Sequence, residues 1–350
     1  MNLIHESMEQ EKTDLADKAI KVLLTGAESN RNVSSRLSDA GYEMDFLPME
    51  LPLKDATTNF SFRHLQPAIK HALENDHALV IAIDKESNKI GIAVRKSKND
   101  GFQLLSVHQI AALLVHFWQM NFPDDILTII KSVHVTEMID LMASKGGSDC
   151  RNVVVEPGAM ADKIAALVKE GKENVIGFTE NQEFFNAAAD FTAIVEDIIK
   201  FEEELRTKDN ILFDEINNLY KEYGFFKEKT FVVELTTQSQ KDHVQHIMSE
   251  CRKKTSSIHD RLTFTNIIDF KKGKAKNCMT NKETPLDYPA INMLQIKLSD
   301  GASFTIVPQE NQVYYYFSMK GNITGKEIYN EVNKEFDVRI FKLMEIINKL

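Results

Sequence analysis

The sequence predicts an α/β chain: two mixed βα domains followed by an α+β domain in which helices cover an antiparallel sheet. Two observations carry this. From residue 19 to about 223, short apolar β-branched runs alternate with segments of helical period, the signature of βα units. After Gly224 the strands lengthen around one central and one terminal helical segment, which is the pattern of an antiparallel sheet. The 350 residues, 43% hydrophobic and 27% charged with 14 Gly and 8 Pro, suffice for two or three cores and exclude fibrous and low-complexity classes.

In order, strands are expected at 20–25, 42–47, 77–83 and 90–95, with helices at 32–40 and 65–73 between them. A second group follows the turn at 98–101: strands at 126–133, 152–155 and 174–178, and helices at 106–120, 137–144, 160–170, 185–206 and 210–223. The last group has strands at 229–236, 262–270, 293–298, 303–307 and 312–319, with helices at 241–252 and 326–350. Domains at 19–100, 101–225 and 226–350 follow, behind a polar extension at 1–18.

A net charge of −10, from 42 basic and 52 acidic residues, gives no overall attraction for phosphate backbones, so nucleic acid is not an expected partner. The cysteines Cys150, Cys251 and Cys278 are odd in number and form no CxxC pair, which builds neither a disulfide framework nor a zinc knuckle and fits a reducing compartment. The first residues lack the apolar core of a signal peptide, and no run of about eighteen apolar residues offers a membrane span. A cytoplasmic location is the expectation.

Parallel sheets bind ligands beyond the carboxyl ends of their strands, which directs attention to three polar segments. Asp84, Glu86 and Asn88, followed by Lys89, set oxygens at alternate positions of a tight turn, an arrangement that suits a hard cation such as magnesium but also an ordinary turn. Residues 177–183 bring hydroxyl, amide and carboxylate groups to a strand end, among them Thr179, Glu180 and Asn181. The segment 307–314, with Val307, Gln309 and Asn311, has no Arg, Lys, Ser or Gly and reads as a plain hairpin rather than a phosphate site.

Elsewhere, Glu202, Glu203 and Glu204 read as the solvated face of a helix. Five lysines between 271 and 282 read as a solvated loop or as a contact for an acidic partner or polyanion. His64, His71 and His77, and likewise His243 and His246, lack the carboxylate or Cys neighbours of a metal or nucleophilic site, although His243 and His246, at i and i+3, could share a helix face and bind metal. The run Tyr314 to Phe317 alternates, so half of it belongs in a core. No GxSxG, HExxH, P-loop or GxGxxG occurs.

The order of units and the segments HALVIAIDKESNKIGIAVRK (77–96), LLSVHQIAALLVHFW (104–118), NVIGFTENQEFF (174–185), ILFDEINNLYKEYGFF (211–226) and IKLSDGASFTIVPQENQVYYYF (296–317) resemble the α-D-phosphohexomutases, within them the phosphoglucomutase and phosphopentomutase type. The resemblance runs from about residue 19 to the C terminus and corresponds to the second, third and fourth domains of a four-domain mutase. It implies that 84–89 stands where the family holds magnesium with Asp-x-Asp-x-Asp-Arg, keeping one Asp and replacing the Arg by Lys89. It implies that 178–183 stands in the sugar loop, with Glu183 in place of a closing Gly, where its charge would face an anionic substrate. Residues 156–159 stand where the family carries a basic loop, and 307–313 in the phosphate loop, each without a phosphate-contacting side chain. A Ser-His-Asn-Pro-like phosphoserine motif is not found among these residues.

The expectation is therefore a catalytically degenerate phosphohexomutase-like pseudoenzyme with a binding, regulatory or assembly role linked to carbohydrate metabolism, with no catalytic residue and no cofactor beyond magnesium at 84–88. One alternative is a magnesium-dependent sugar-phosphate mutase served by an external phosphoryl donor. Another is a sugar-phosphate sensor using Glu180. A protein partner or a second copy of the chain is expected, a membrane is not.

Overall fold

The computed structural model describes residues 20–51, 58–97, 100–123, 126–154, 159–253, 263–325 and 328–350. The extension 1–18 and parts of the loops expected at 54–60, 156–159 and 253–254 lie outside them. The chain divides into two compact units, Met1–Leu219 and Tyr220–Leu350.

The first unit contains two mixed sheets. In one, β1 (Lys21–Gly26), β2 (Glu43–Pro48), β3 (Leu79–Asp84), β4 (Lys89–Arg95) and β5 (Phe102–Leu104) take the order β2-β1-β3-β4-β5. Here β1 runs parallel to β2 and β3, while β4 and β5 are antiparallel additions. Helices α1 (Arg31–Asp39) and α2 (Phe62–Glu74) make the crossovers. The second sheet has β6 (Thr128–Ser132), β7 (Asp149–Val153), β8 (Val175–Phe178) and β9 (Phe184–Asn186) in the order β7-β6-β8-β9, the first three parallel and β9 antiparallel.

Between the sheets in sequence lies α3 (Val107–Asn121), started by a capping box in which Ser106 accepts from the Gln109 amide and Gln109 accepts from Ser106, two backbone donors satisfied at once. It is buried on nearly every side from Val107 to Trp118, consistent with its almost uninterrupted apolar sequence. Helices α4 (Met138–Gly146) and α5 (Met160–Lys169) link the parallel strands, and α6 (Phe191–Arg206) follows β9.

The helix expected from 185 begins only at Phe191, where the Asp190 carboxylate accepts from the Thr192 amide; residues 184–186 pair as β9 instead. The acidic run of α6 is also corrected. Glu202 is buried at 2% exposure, bonded to Arg206 Nε at 2.8 Å and accepting the Leu212 amide at 2.8 Å, so it caps the first turn of α7 (Leu212–Tyr223). Charge runs are usually solvated, but an orphan helix N–H is worth a carboxylate when an arginine shares it.

The second unit is a seven-stranded antiparallel sheet in the order β10-β16-β15-β14-β11-β12-β13. Its strands are β10 (Phe225–Glu234), β11 (Phe264–Asp269), β12 (Lys274–Asn277), β13 (Glu283–Pro285), β14 (Leu294–Leu298), β15 (Ser303–Pro308) and β16 (Gln312–Gly321). Helices α8 (Gln238–Lys253) and α9 (Tyr329–Ile347) carry its other apolar residues. Of the 271–282 lysines, Lys274 and Lys276 lie on β12, with Lys274 paired to Glu283 at 2.9 Å, while Lys271, Lys272 and Lys282 lie in the turns on either side of it. Tyr315 and Phe317 lie on the strand face that carries the Phe231 and Phe304 rings, and Tyr314 stacks on Tyr316 on the other. Gly321 is required by close approach, since a Cβ there would stand 2.3 Å from the Phe336 ring.

Removing the Glu202 carboxylate leaves Arg206 and the Leu212 amide without their shared acceptor. Glu202→Ala is expected to lower the unfolding free energy by about 3 kcal/mol, read as a lower urea midpoint at unchanged slope. Glu202→Gln, which keeps an acceptor, should lose less.

Candidate functional site

Residues 84–89 close the β3–β4 hairpin, with Asp84 and Lys89 as its last register pair. The turn is held by the Asn88 amide donating to the Lys85 carbonyl at 3.2 Å, and Asn88 takes a left-handed φ of 53°, which Asn tolerates better than most residues. Asp84 is half-buried and Glu86 is exposed. Lys89 is inverted relative to expectation for a charged loop residue: it is 1% exposed, and its ammonium donates to the Thr58 carbonyl at 2.8 Å.

Residues 179–183 form the β8–β9 turn. The Thr179 amide donates to the Glu183 carbonyl at 3.1 Å, the Thr179 hydroxyl donates to the Glu183 carboxylate, and the Asn181 amide donates to Thr179 Oγ1 at 3.3 Å. Burial pushes the Glu183 carboxyl above its usual range, against the pull of the Thr179 hydroxyl and the Lys89 charge. Glu183, at 4% exposure, therefore does not face outward as the loop comparison implied; it turns in toward Lys89.

The two turns are sewn together. Lys89 and Glu183 form an antiparallel bridge, flanked by the Ile90 amide on the Gln182 carbonyl at 3.1 Å and the Phe184 amide on the Asn88 carbonyl at 2.9 Å. The segment before α2 joins them: the Phe60 amide donates to Gln182 Oε1 at 2.6 Å and Asn59 Nδ2 to the Glu180 carbonyl at 2.9 Å. Strands of two different sheets thus share one short ladder, and backbone groups from Asn88, Glu180 and Gln182 are spent on it. Nearby, burial pulls the His134 imidazole below its usual value while the Glu180 charge opposes it.

A magnesium cage needs several oxygens converging in near-octahedral geometry. This turn supplies a half-buried Asp84, an exposed Glu86, an Asn88 whose main-chain amide and carbonyl are engaged, and a buried ammonium one residue on; among the described residues no three His, Cys, Asp or Glu side chains gather as a metal site. The turn therefore presents no preformed cage of side chains for the cation among the described residues. Beside the ladder, a cavity of about 470 Å³ between α5, β9 and α6 is lined mainly by apolar side chains such as Ile164, Val168, Phe184 and Ile194, with Asn88, Asn186 and Lys169 as its polar groups.

In the second unit, Val307 lies near the end of β15 and Gln309 to Asn311 turn into β16. The Gln309 amide donates to the Gln312 carbonyl at 2.8 Å and Gln312 Nε2 to Gln309 Oε1 at 3.0 Å. One basic group does reach this hairpin: Lys241 of α8 donates to Asn311 Oδ1 at 3.3 Å. Sequence spacing carries no signal for a contact across 70 residues. The same holds for Thr58 and for the carboxylate beside His77, whose Nε2 lies 2.9 Å from Asp45 Oδ2. His243 bonds the Asn348 carbonyl at 3.1 Å, and none of the three cysteines forms a disulfide.

No family model matches the chain. It is 22% identical to the phosphoglucomutase of Staphylococcus saprophyticus over 274 residues, 75% of this chain and 48% of that one, and 23% identical to that of Staphylococcus epidermidis over 233 residues, 65% and 42% of the two. The chain thus spans about half the length of the curated relatives it matches. Among solved structures, the fold matches the open form of the Paramecium phosphoglucomutase pp63/parafusin with a TM-score of 0.60 at 11% identity, over 98% of this chain and 62% of that one. A protein of Thermus thermophilus described as a phosphomannomutase matches with a TM-score of 0.58 at 13% identity, over 95% and 63%. By sequence and by fold, the chain is a relative of the α-D-phosphohexomutase superfamily, aligned with part of the length of the phosphoglucomutases.

Proposed function

We propose that this chain is a catalytically degenerate phosphohexomutase relative that acts by binding, as a regulatory or assembly component, rather than by transferring phosphoryl groups. One observation supports the reading: the turn likened to the metal loop and the turn likened to the sugar loop are joined by the main-chain bridge between Lys89 and Glu183. Phosphoryl transfer rests on positioning and on stabilising charge at the moving group. Here the polar groups of both turns stabilise one another. Admitting a substrate between them would expose or unpair a buried ammonium and a buried carboxyl, each costly without its partner.

A mutase assay tests this. Purified protein with magnesium, a hexose or pentose 1-phosphate and the matching sugar bisphosphate should give no interconversion above the blank, and Asp84→Ala should change nothing. Turnover that Asp84→Ala abolishes would sink the reading in favour of a divergent enzyme, and a saturable rise in melting temperature with a sugar phosphate would favour the sensor.

The joint has a titration signature. Because the native Glu183 pKa is raised, its contribution to stability is complete below the ordinary carboxylate range and is lost as pH rises through the native value. Glu183→Gln should therefore flatten the fall of stability with pH above that range. Lys89→Met should steepen it, since the remaining carboxylate then loses its neighbouring positive charge. Chemical denaturation across pH reads both.

A further inference from the structure

The seven-stranded sheet ends in β10, a ten-residue strand paired, among the described residues, on one side. The Leu235 amide donates to the Asn311 carbonyl at 2.8 Å, and β10 runs in unbroken register with β16 from Phe225 to Glu234. By alternation, the odd residues point their backbone groups at β16, and Glu228, Thr230, Val232 and Glu234 point theirs off the edge. This edge is open to solvent, with Val232 52% and Val233 38% exposed. A long edge with apolar side chains is one that proteins cover.

Beside the same strand lies α9. Asp337 holds Lys229 at 2.7 Å and Lys227 at 3.5 Å, and the Phe341 ring packs on Phe231 at 5.3 Å and under the Lys229 ammonium at 4.4 Å. Lys334, Val338, Phe341 and Glu345 recur at spacings of four, three and four, which aligns them in one helical stripe. All four are exposed, Val338 at 51% and Phe341 at 50%. The stripe is its own complement when reversed: a two-fold axis at its midpoint sets Lys334 against Glu345 of the second copy at both ends, and Val338 against Phe341 of that copy between them.

The strand reads the same way. An axis through Thr230 opposes Thr230 to itself, Lys229 to Phe231 of the second copy, Glu228 to Val232 and Lys227 to Val233, with no like charges face to face. Moved one residue on, to Phe231, the axis would oppose Glu228 to Glu234. Phe341 packs against Lys229 and Phe231, so strand and helix place the axis at one spot.

We propose that the β10–α9 edge is a homodimer interface: β10 pairs antiparallel with β10 of a second copy about a two-fold axis at Thr230, extending the sheet, and the α9 stripes pack across that axis. The occupant is a second copy because the charges and apolar groups complement themselves. The inference stands apart from the functional reading above and survives its failure.

Sedimentation velocity on the full chain over a concentration series tests it. The expected species has twice the 39.9 kDa chain mass. Glu345→Lys should weaken the dimer about tenfold and the charge swap Lys334→Glu with Glu345→Lys should restore it, a rescue that a merely structural role would not give. Val338→Lys with Phe341→Lys should yield monomer with an unchanged circular dichroism spectrum. Thr230→Cys, at the axis, should cross-link to its copy on mild oxidation, whereas Lys227→Cys should not. A monomer across the series, a dimer indifferent to the α9 substitutions, or a charge swap without rescue would each overturn the proposal, and leave the edge to a different chain.

Discussion

A buried lysine organises the first unit. Lys89 is the first residue of β4 and almost wholly removed from water, a placement that is costly for an ammonium unless its protons and charge are met. They are met by the Thr58 carbonyl and by the charge of Glu183, which obliges three separate stretches of chain to converge. The Lys89–Glu183 bridge and its flanking amide bonds then tie the antiparallel additions of the two sheets, β4 and β9, into one short ladder. Once that ladder exists, the Asn88 and Gln182 carbonyls beyond the strand ends are engaged by the Phe184 and Ile90 amides.

The device recurs nearby. Lys131, 1% exposed near the end of β6, donates to the Val135 carbonyl at 3.0 Å and pairs with Asp140 at 3.0 Å. His77, fully buried, bonds Asp45, whose carboxyl is held below its usual range chiefly by Lys21, with His77 adding to the pull. In each case a cationic or protonatable side chain at or beside a strand end finds a partner within the chain, though the buried Nδ1 of His77 makes no hydrogen bond among the described residues. Such groups narrow the permitted arrangements more than they stabilise them, because the alternatives leave a charge unpaired.

This explains what could and could not be read along the chain. The alternation of β1 to α6 was legible because buried parallel strands and amphipathic helices impose their periods on the sequence. Strands β5, β9, β12 and β13, three or four residues each, were not legible: so few residues carry no period, and pairing comes from their neighbours. Glu202 and Glu183 were misjudged for a shared reason. A carboxylate in a polar run looks solvated until a distant amide or ammonium claims it, and that claim is written in the tertiary fold alone. The loops likened to the metal and sugar sites could be located from sequence, but not their mutual closure, since Asn88 and Gln182 meet only when two sheets do.

The two units differ in what they leave available. In the first, the main-chain groups of the β3–β4 and β8–β9 turns are largely bonded to one another, and the adjacent cavity is walled mainly by Ile164, Val168, Phe184 and Ile194, with Lys169 and Asn186 among its polar groups. In the second, the groups left unspent are not at a loop but along an entire edge strand and one helix stripe, where Val232, Val233, Val338 and Phe341 remain in water. Backbone edges and apolar stripes recognise other polypeptides, not small anions. In that unit the exposed groups of β10 and α9 thus offer what a neighbouring polypeptide strand and helix would pair with.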